Sequence, residues 1–187
     1  MEVDFREFDV DTDIIHKFDI HRDDRGHFFE ISNPRIVEFF LKNNIQFTQI
    51  NVSKSTKKNT FRGFHFQKKP YEQSKFIKVL NGSIIDIIID LRKESKNFLD
   101  HAKINLSDSD DLGVFIPKGF AHGFLTTADK TVVQYFVDEV YNQSADSGIK
   151  FSDKKIGIQL NLESKLIISK KDMNLPSFED LINTGDL

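Results

Sequence analysis

From about residue 46 to about residue 140 the apolar residues recur at every second position in short runs: "FTQINVS", "FRGFHFQ", "SKFIKVL", "SIIDIIIDL", "DLGVFIP", "AHGFLT" and "TVVQYFVDEVY". Gly, Pro, Asn or Asp breaks the series between runs. A period of two puts successive side chains on opposite faces, so the runs predict strands, and many short strands at this spacing predict a sandwich or barrel rather than βαβ units. Ahead of them, "FDIHRDDRGHFFEIS" (18–32) predicts two short strands around the turn "RDDRG". In "SNPRIVEFFLKNN", Ser32 or Asn33 can cap a helix, Pro34 suits its first position, and Ile36, Val37, Phe40 and Leu41 keep helical spacing. The tail adds "LIISKKD" and a short helix over "LPSFEDLI", starting at Pro176 and Ser177. The expected organisation is a single mainly β domain over 1–187: N-terminal strands and helix (1–45), a β core (46–140), and C-terminal strands and helix (141–187).

Two runs carry more than a strand signal. Strict alternation along "FRGFHFQ" puts Phe61, Gly63, His65 and Gln67 on one face and Arg62, Phe64 and Phe66 on the other, unless Gly63 forms a bulge that re-aims one side chain. In "KFIKVLNGSIIDIIIDLR" the Asn81-Gly82 pair predicts a tight hairpin. That register sets Ile77 opposite Asp86 and Lys75 opposite Ile88, making Lys75 and Asp86 diagonal neighbours on one face. An Asp between isoleucines is costly to bury unpaired. Asp86 lies either on a solvent-facing strand edge or in a concave polar site, with Lys75 beside it.

Composition narrows the function classes. With 26 Lys and Arg against 29 Asp and Glu, and a net charge of −3, the chain has no global attraction for nucleic acid or for an anionic membrane. The absence of Cys excludes disulfides and thiolate metal sites. No apolar run reaches membrane-spanning length, and the acidic start "MEVDFREFDVDTD" does not read as a secretory signal, so a cytoplasmic location is expected.

Of six histidines, His16, His21, His27 and His101 lie in polar or turn-like stretches where a surface role is the default; His65 and His122 differ. His122 falls in "IPKGFAHGF", the Pro-x-Gly-x-x-His spacing of the second motif of cupin barrels. Metal-binding cupins also need a His-x-His pair followed by a carboxylate. Here the stretch is "HFQ", and the polar residue ten positions after His65 is Lys75, whose charge would repel a cation, so no metal and no cofactor is expected.

Taken in order, "FRGFHFQ", "QSKFIKVLNGSIIDIIIDLR", "IPKGFAHGF" and "VVQYFVDEVY" resemble the dTDP-4-dehydrorhamnose 3,5-epimerase family, metal-free cupins of deoxysugar nucleotide biosynthesis, from about "RDDRGHFFE" to "SFEDL". The resemblance implies a mainly β fold, the double-stranded β-helix or cupin jelly roll, with a few short helices in the N- and C-terminal parts. It also implies a homodimer and inversion at C3, C5 or both of a 4-keto-6-deoxy sugar nucleotide, most simply dTDP-4-dehydro-6-deoxy-D-glucose to dTDP-4-dehydro-L-rhamnose. A single-centre epimerase on another nucleotide sugar is the close variant; a non-catalytic sugar-binding cupin and a metal-dependent cupin are the distant ones.

Residue by residue, the resemblance makes His65 the base, Asp172 in "SKKD" its orienting carboxylate, Tyr135 the opposing acid and Lys75 the charge at the enolate oxygen. Substrate binding falls to Arg62, Arg25, Glu30, Gln49, Asn51, His122 and Tyr141, with Asp86 and Gly63 in support. One segment departs from the family: where many members carry Trp-x-Asp-Pro and then Trp-Pro, this chain has "KFSDKKIGIQL", with Phe151.

Overall fold

The structure, a computed structural model, describes residues 14–160 and 165–187. Its strands are β1 (Ile15–Lys17), β2 (Ile20–Asp23), β3 (Gly26–Phe29), β4 (Gln49–Ser55), β5 (Thr60–Gln67), β6 (Lys75–Asn81), β7 (Ser83–Asp90), β8 (His101–Ser107), β9 (Leu112–Ile116), β10 (Phe120–Thr126), β11 (Thr131–Val137), β12 (Asp146–Gly148) and β13 (Ile167–Ile168). The helices are α1 (Pro34–Lys42), α2 (Lys170–Met173) and α3 (Phe178–Thr184). This is the mainly β jelly roll expected, with its helices in the terminal parts. Among the described residues no helix is long and apolar enough to cross a membrane.

One sheet runs β1-β9-β6-β11-β4 and a second runs β12-β5-β10-β7-β8, with β13 added beside β5. Strand parity explains how they pack. Ile77, Val79, Val114, Ile116 and Val133 of the first sheet meet Ile84, Ile88, Ile104, Leu106, Phe120 and Phe124 of the second in the inter-sheet core. The alternate residues of the second sheet, Ile87, Ile89, Ala121 and Leu125, pack outward under Ile149, Ile156, Ile158 and Leu181 of the C-terminal segment. Burial on both faces is why "SIIDIIID" reads as an unbroken apolar run rather than an alternating one. Outside the first sheet, Phe76 and Phe115 are covered by Phe18, Ile36, Phe40 and Ile45.

The predicted helices form with their caps. Asn33 accepts from the Ile36 N–H at 3.0 Å, Pro34 opens α1, and Ser177 and Asp180 close a capping box on α3. Strand β8, "HAKINLS", is an addition to the predicted strands: Ala102, Ile104 and Leu106 alternate with His101, Lys103 and Asn105, and His101 begins a strand instead of a turn. His16 is likewise not a surface residue by environment: it sits in β1, edge-on to Phe39 and Phe76 at ring separations of 4.5 and 5.6 Å.

The predicted hairpin at Asn81-Gly82 does not exist. β6 pairs with β9 and β11, whereas β7 pairs with β8 and β10 in the opposite sheet, so the dipeptide is a corner between sheets. A type I′ turn needs positive φ at both central residues, and only Gly82 has it, at 78°. Its N–H donates to Asp108 at 2.8 Å, and a Cβ there would meet Thr131 Oγ1 at 2.6 Å. Lys75 therefore faces Val137 and Ile116, and Asp86 faces Phe124 and Ile104, instead of the partners the hairpin would give them.

Candidate active site

Between the sheets opens a cavity of about 510 Å³ lined by residues of both, including His65, Arg62, Lys75, His122, Tyr135 and Asp172. Its geometry starts with Gly63. His65 lies opposite His122 and Arg62 opposite Phe124, so β5 spends three steps where β10 spends two: a bulge at Gly63, whose φ is 132°. The alternation resets there. Phe61, Phe64 and Phe66 join the outer core cluster, Phe61 also bordering the cavity, and Arg62 and His65 both line the cavity, where strict alternation would have parted them. A Cβ on Gly63 would stand 2.5 Å from Gly123 Cα, so glycine is required by contact as well as by φ.

The C-terminal segment delivers the carboxylate. β13 pairs in parallel with Thr60 and Phe61, and Ser169, accepting from the Asp172 N–H at 3.0 Å, caps the short α2. Asp172 is thereby set against β5: Oδ1 bonds His65 Nε2 at 2.9 Å and Oδ2 accepts the Gly63 N–H at 3.3 Å. Burial works against the charge on Asp172, yet the His65 imidazole, the Gly63 amide and the Ser169 hydroxyl together hold its carboxyl below the ordinary 3.8. An ionised carboxylate can only accept, so it fixes the proton on Nε2 and leaves Nδ1 of His65 with the lone pair.

Tyr135 enters from the other sheet, on β11, and packs against the inter-sheet core. Burial pushes its phenol up while the nearby Arg62 charge pulls it down; the net shift is upward, so the phenol keeps its proton at neutral pH. Lys75 is buried, and desolvation brings its ammonium down to about 8, against the attraction of Asp86 and then Asp146. Its Nζ donates to the His65 carbonyl at 3.3 Å. Asp86 makes its direct bond elsewhere: Oδ1 takes His122 Nε2 at 2.7 Å, and it reaches Lys75 only through charge, which corrects the diagonal pairing expected from sequence.

The remaining predicted residues lie outside this cavity. Arg25 sits in the β2–β3 turn, pairs with Asp23 and is 90% exposed, and Glu30 is exposed beyond β3. Gln49 and Asn51 on β4 bond each other at 2.7 Å. The Tyr141 hydroxyl donates to Asp146 at 3.1 Å, and Asp146 also pairs with Lys171, which does line the cavity. Lys171, Ser169 and Ser53 were missed. Ser53 was in reach of alternation from Gln49 and Asn51, and Lys171 adjoins Asp172; parallel pairing of β13 had no local signal. Phe151, the family departure, packs on Phe61 at 4.8 Å outside the cavity. Among the described residues no group of three or more His, Cys, Asp and Glu is placed to hold a metal ion.

Known proteins match the chain along most of its length. The model of the family described as dTDP-4-dehydrorhamnose 3,5-epimerase matches residues 7–180. An enzyme of that name from Methanothermobacter thermautotrophicus is 41% identical over 88% of this chain and 89% of its own length, and one from Escherichia coli is 38% identical over 86% of each. Among solved structures, the Bacillus anthracis dTDP-4-dehydrorhamnose 3,5-epimerase with TDP and PPi bound is 41% identical, with a TM-score of 0.82 over 88% of this chain and 93% of its own. A Legionella pneumophila dTDP-6-deoxy-D-glucose-3,5-epimerase in complex with dTDP-4-keto-L-rhamnose is 30% identical, with a TM-score of 0.84 over 92% of this chain and 90% of its own. With a histidine and a tyrosine facing one cavity from opposite sheets, and relatives matched along nearly its whole length, the chain belongs to the dTDP-4-dehydrorhamnose 3,5-epimerase family.

Proposed function

We propose that the chain epimerises dTDP-4-dehydro-6-deoxy-D-glucose at C3 and C5 to dTDP-4-dehydro-L-rhamnose, with His65 as base and Tyr135 as acid. The observation that carries the reading is the His65–Asp172 pair at 2.9 Å in one sheet with Tyr135 in the other, both on one cavity. The 4-ketone acidifies the hydrogens at C3 and C5. His65 Nδ1 takes one of them, the C–H electron pair moves into the ring, and negative charge gathers on O4. A buried Lys75 ammonium stabilises that oxyanion more strongly than it would in water. Tyr135 then returns a proton to the same carbon from the opposite face, which inverts it. Asp172 stabilises the imidazolium between the two steps.

Arg62, His122 and Lys171 supply the diphosphate side, Arg62 being held by Ser55 Oγ at 3.2 Å. The cavity demands no metal ligand for this chemistry. We read 1–187 as one working domain, because the C-terminal segment contributes Asp172 to a site on β5. A homodimer is supported by the exposed apolar side chains of Phe28 (64%) on β3 and of Ile50 (59%) and Val52 (63%) on the edge strand β4. In such a dimer Arg25 and Glu30, remote from their own cavity, would serve the other subunit's, with Gln49, Asn51 and Tyr141 at its rim. The cytoplasm is the proposed compartment, since a charged nucleotide sugar does not cross a bilayer unaided.

The test is incubation with dTDP-4-keto-6-deoxy-glucose in deuterated water, followed by NMR. Deuterium at both C3 and C5, abolished in Tyr135→Phe and His65→Ala together, is the expected result. Exchange at one centre narrows the activity to a single-centre epimerase, and no exchange overturns the reading.

A further inference from the structure

The inner face of the edge strand β4 is polar where its neighbours are apolar. Gln49, Asn51, Ser53 and Ser55 point inward, across from Val137, Tyr135, Val133 and Thr131 of β11. Three of the four are engaged: Gln49 donates to Asn51 at 2.7 Å, and Ser55 accepts from Arg62 Nε at 3.2 Å. The Ser53 hydroxyl is buried and finds no hydrogen-bond partner among the described residues, yet Ser53 lines the same cavity as His65 and Tyr135. A buried hydroxyl left unpaired destabilises a fold, and Ala or Val would fit a strand beside Val133 at no such cost. Since Ser53 lines the cavity, a bound ligand is the partner its hydroxyl lacks.

Register says what it would meet there. Along β4, Ser53 lies between Ser55, which holds the diphosphate-side Arg62, and Asn51, which is opposite the proton donor Tyr135. On a hexose linked to diphosphate through C1 and reacting at C3, the group between those two ends is the C2 substituent. We propose that Ser53 hydrogen-bonds the 2-hydroxyl of the bound 4-keto hexose and selects 2-hydroxy over 2-deoxy sugar nucleotides. This assignment rests on the epimerase reading above.

The experiment compares kcat/KM for dTDP-4-keto-6-deoxy-glucose and its 2-deoxy analogue in wild type and Ser53→Ala, with thermal melting of the ligand-free proteins. Expected is a wild-type preference for the 2-hydroxy sugar of about tenfold, abolished in S53A by loss on that substrate alone. S53A should also melt at or above the wild-type temperature, because it removes an unpaired buried group. An equal fall on both substrates with a lower melting temperature would make Ser53 a packing residue and overturn the proposal, as would unchanged kinetics on both. A wild type inactive on both sugars would overturn the epimerase reading itself.

Discussion

Two His–Asp pairs stand side by side in this protein, on strands whose registers set His65 directly opposite His122. In the first, His65 is 34% exposed and Asp172 6%; in the second, His122 is 9% exposed and Asp86 is fully buried. The same two groups make bonds of similar length, 2.9 and 2.7 Å, but only the first leaves its imidazole substantially exposed. The carboxylates differ in origin too. Asp172 arrives on a short C-terminal helix and is stabilised by an amide and an imidazole, whereas Asp86 is set in a core strand beside Lys75. On the reading proposed above, identical pair chemistry would serve proton transfer in one place and hold a binding group and a cation in the other. Exposure and neighbouring charge make the difference.

The largest effect should come from breaking the first pair at its imidazole. His65→Ala should lower kcat by roughly 10³-fold and abolish deuterium exchange, while His122→Ala should raise the dissociation constant for dTDP about tenfold, measured by calorimetry, with a much smaller change in kcat. A kcat loss in H122A as large as in H65A would erase the distinction between the pairs. Next in size is Asp172→Asn, expected to cost about 10² in kcat by freeing the tautomer. Because the Asp172 carboxyl is held below 3.8 in the fold, its stabilisation is present above that pH and lost as pH falls through the folded value. Acid unfolding followed by circular dichroism should therefore show wild type and D172N converging at low pH.

The smallest effect sharpens the second pair. With Lys75 brought down to about 8, activity that needs its ammonium should fall as pH rises through about 8. Since Asp86 holds that value up, Asp86→Asn should move the alkaline limb of the kcat/KM profile to lower pH, by a shift on the order of one unit or less. A limb that stays in place would separate Asp86 from Lys75. For stability the sign is opposite: the unfolded chain binds the Lys75 proton more tightly, so this group makes the fold more stable as pH rises from about 8 to 10.5.

Much of the fold was legible because its signals are local. Period-two apolar runs, the Asn33 and Ser177 caps and the "RDDRG" turn each depend on neighbours a few residues apart, and each forms. The bulge at Gly63 could be anticipated as a need, since Arg62 and His65 had to share a face, and the β5–β10 register contains it. Strand β8 carries the period-two signal in full, Ala102, Ile104 and Leu106 alternating with polar residues, and was there to be read; the Asn81-Gly82 pair misled because a turn dipeptide does not say which strands it joins. β6 and β7 enter separate sheets, and their apolar residues Ile77, Val79, Ile84 and Ile88 meet in the core between them.

By itself, then, the sequence determined the class of fold, the chemistry of the residues at hand and the family that shares them, because strand periodicity and motif spacing are written in adjacent positions. Only the tertiary structure decided which groups meet. The pairing of Asp86 with His122 instead of Lys75, the approach of Asp172 to His65 through a parallel two-residue strand, and the unpaired hydroxyl of Ser53 all depend on contacts between segments far apart in the chain. Such contacts are chosen by the burial and register of whole sheets, and no short stretch of residues encodes them.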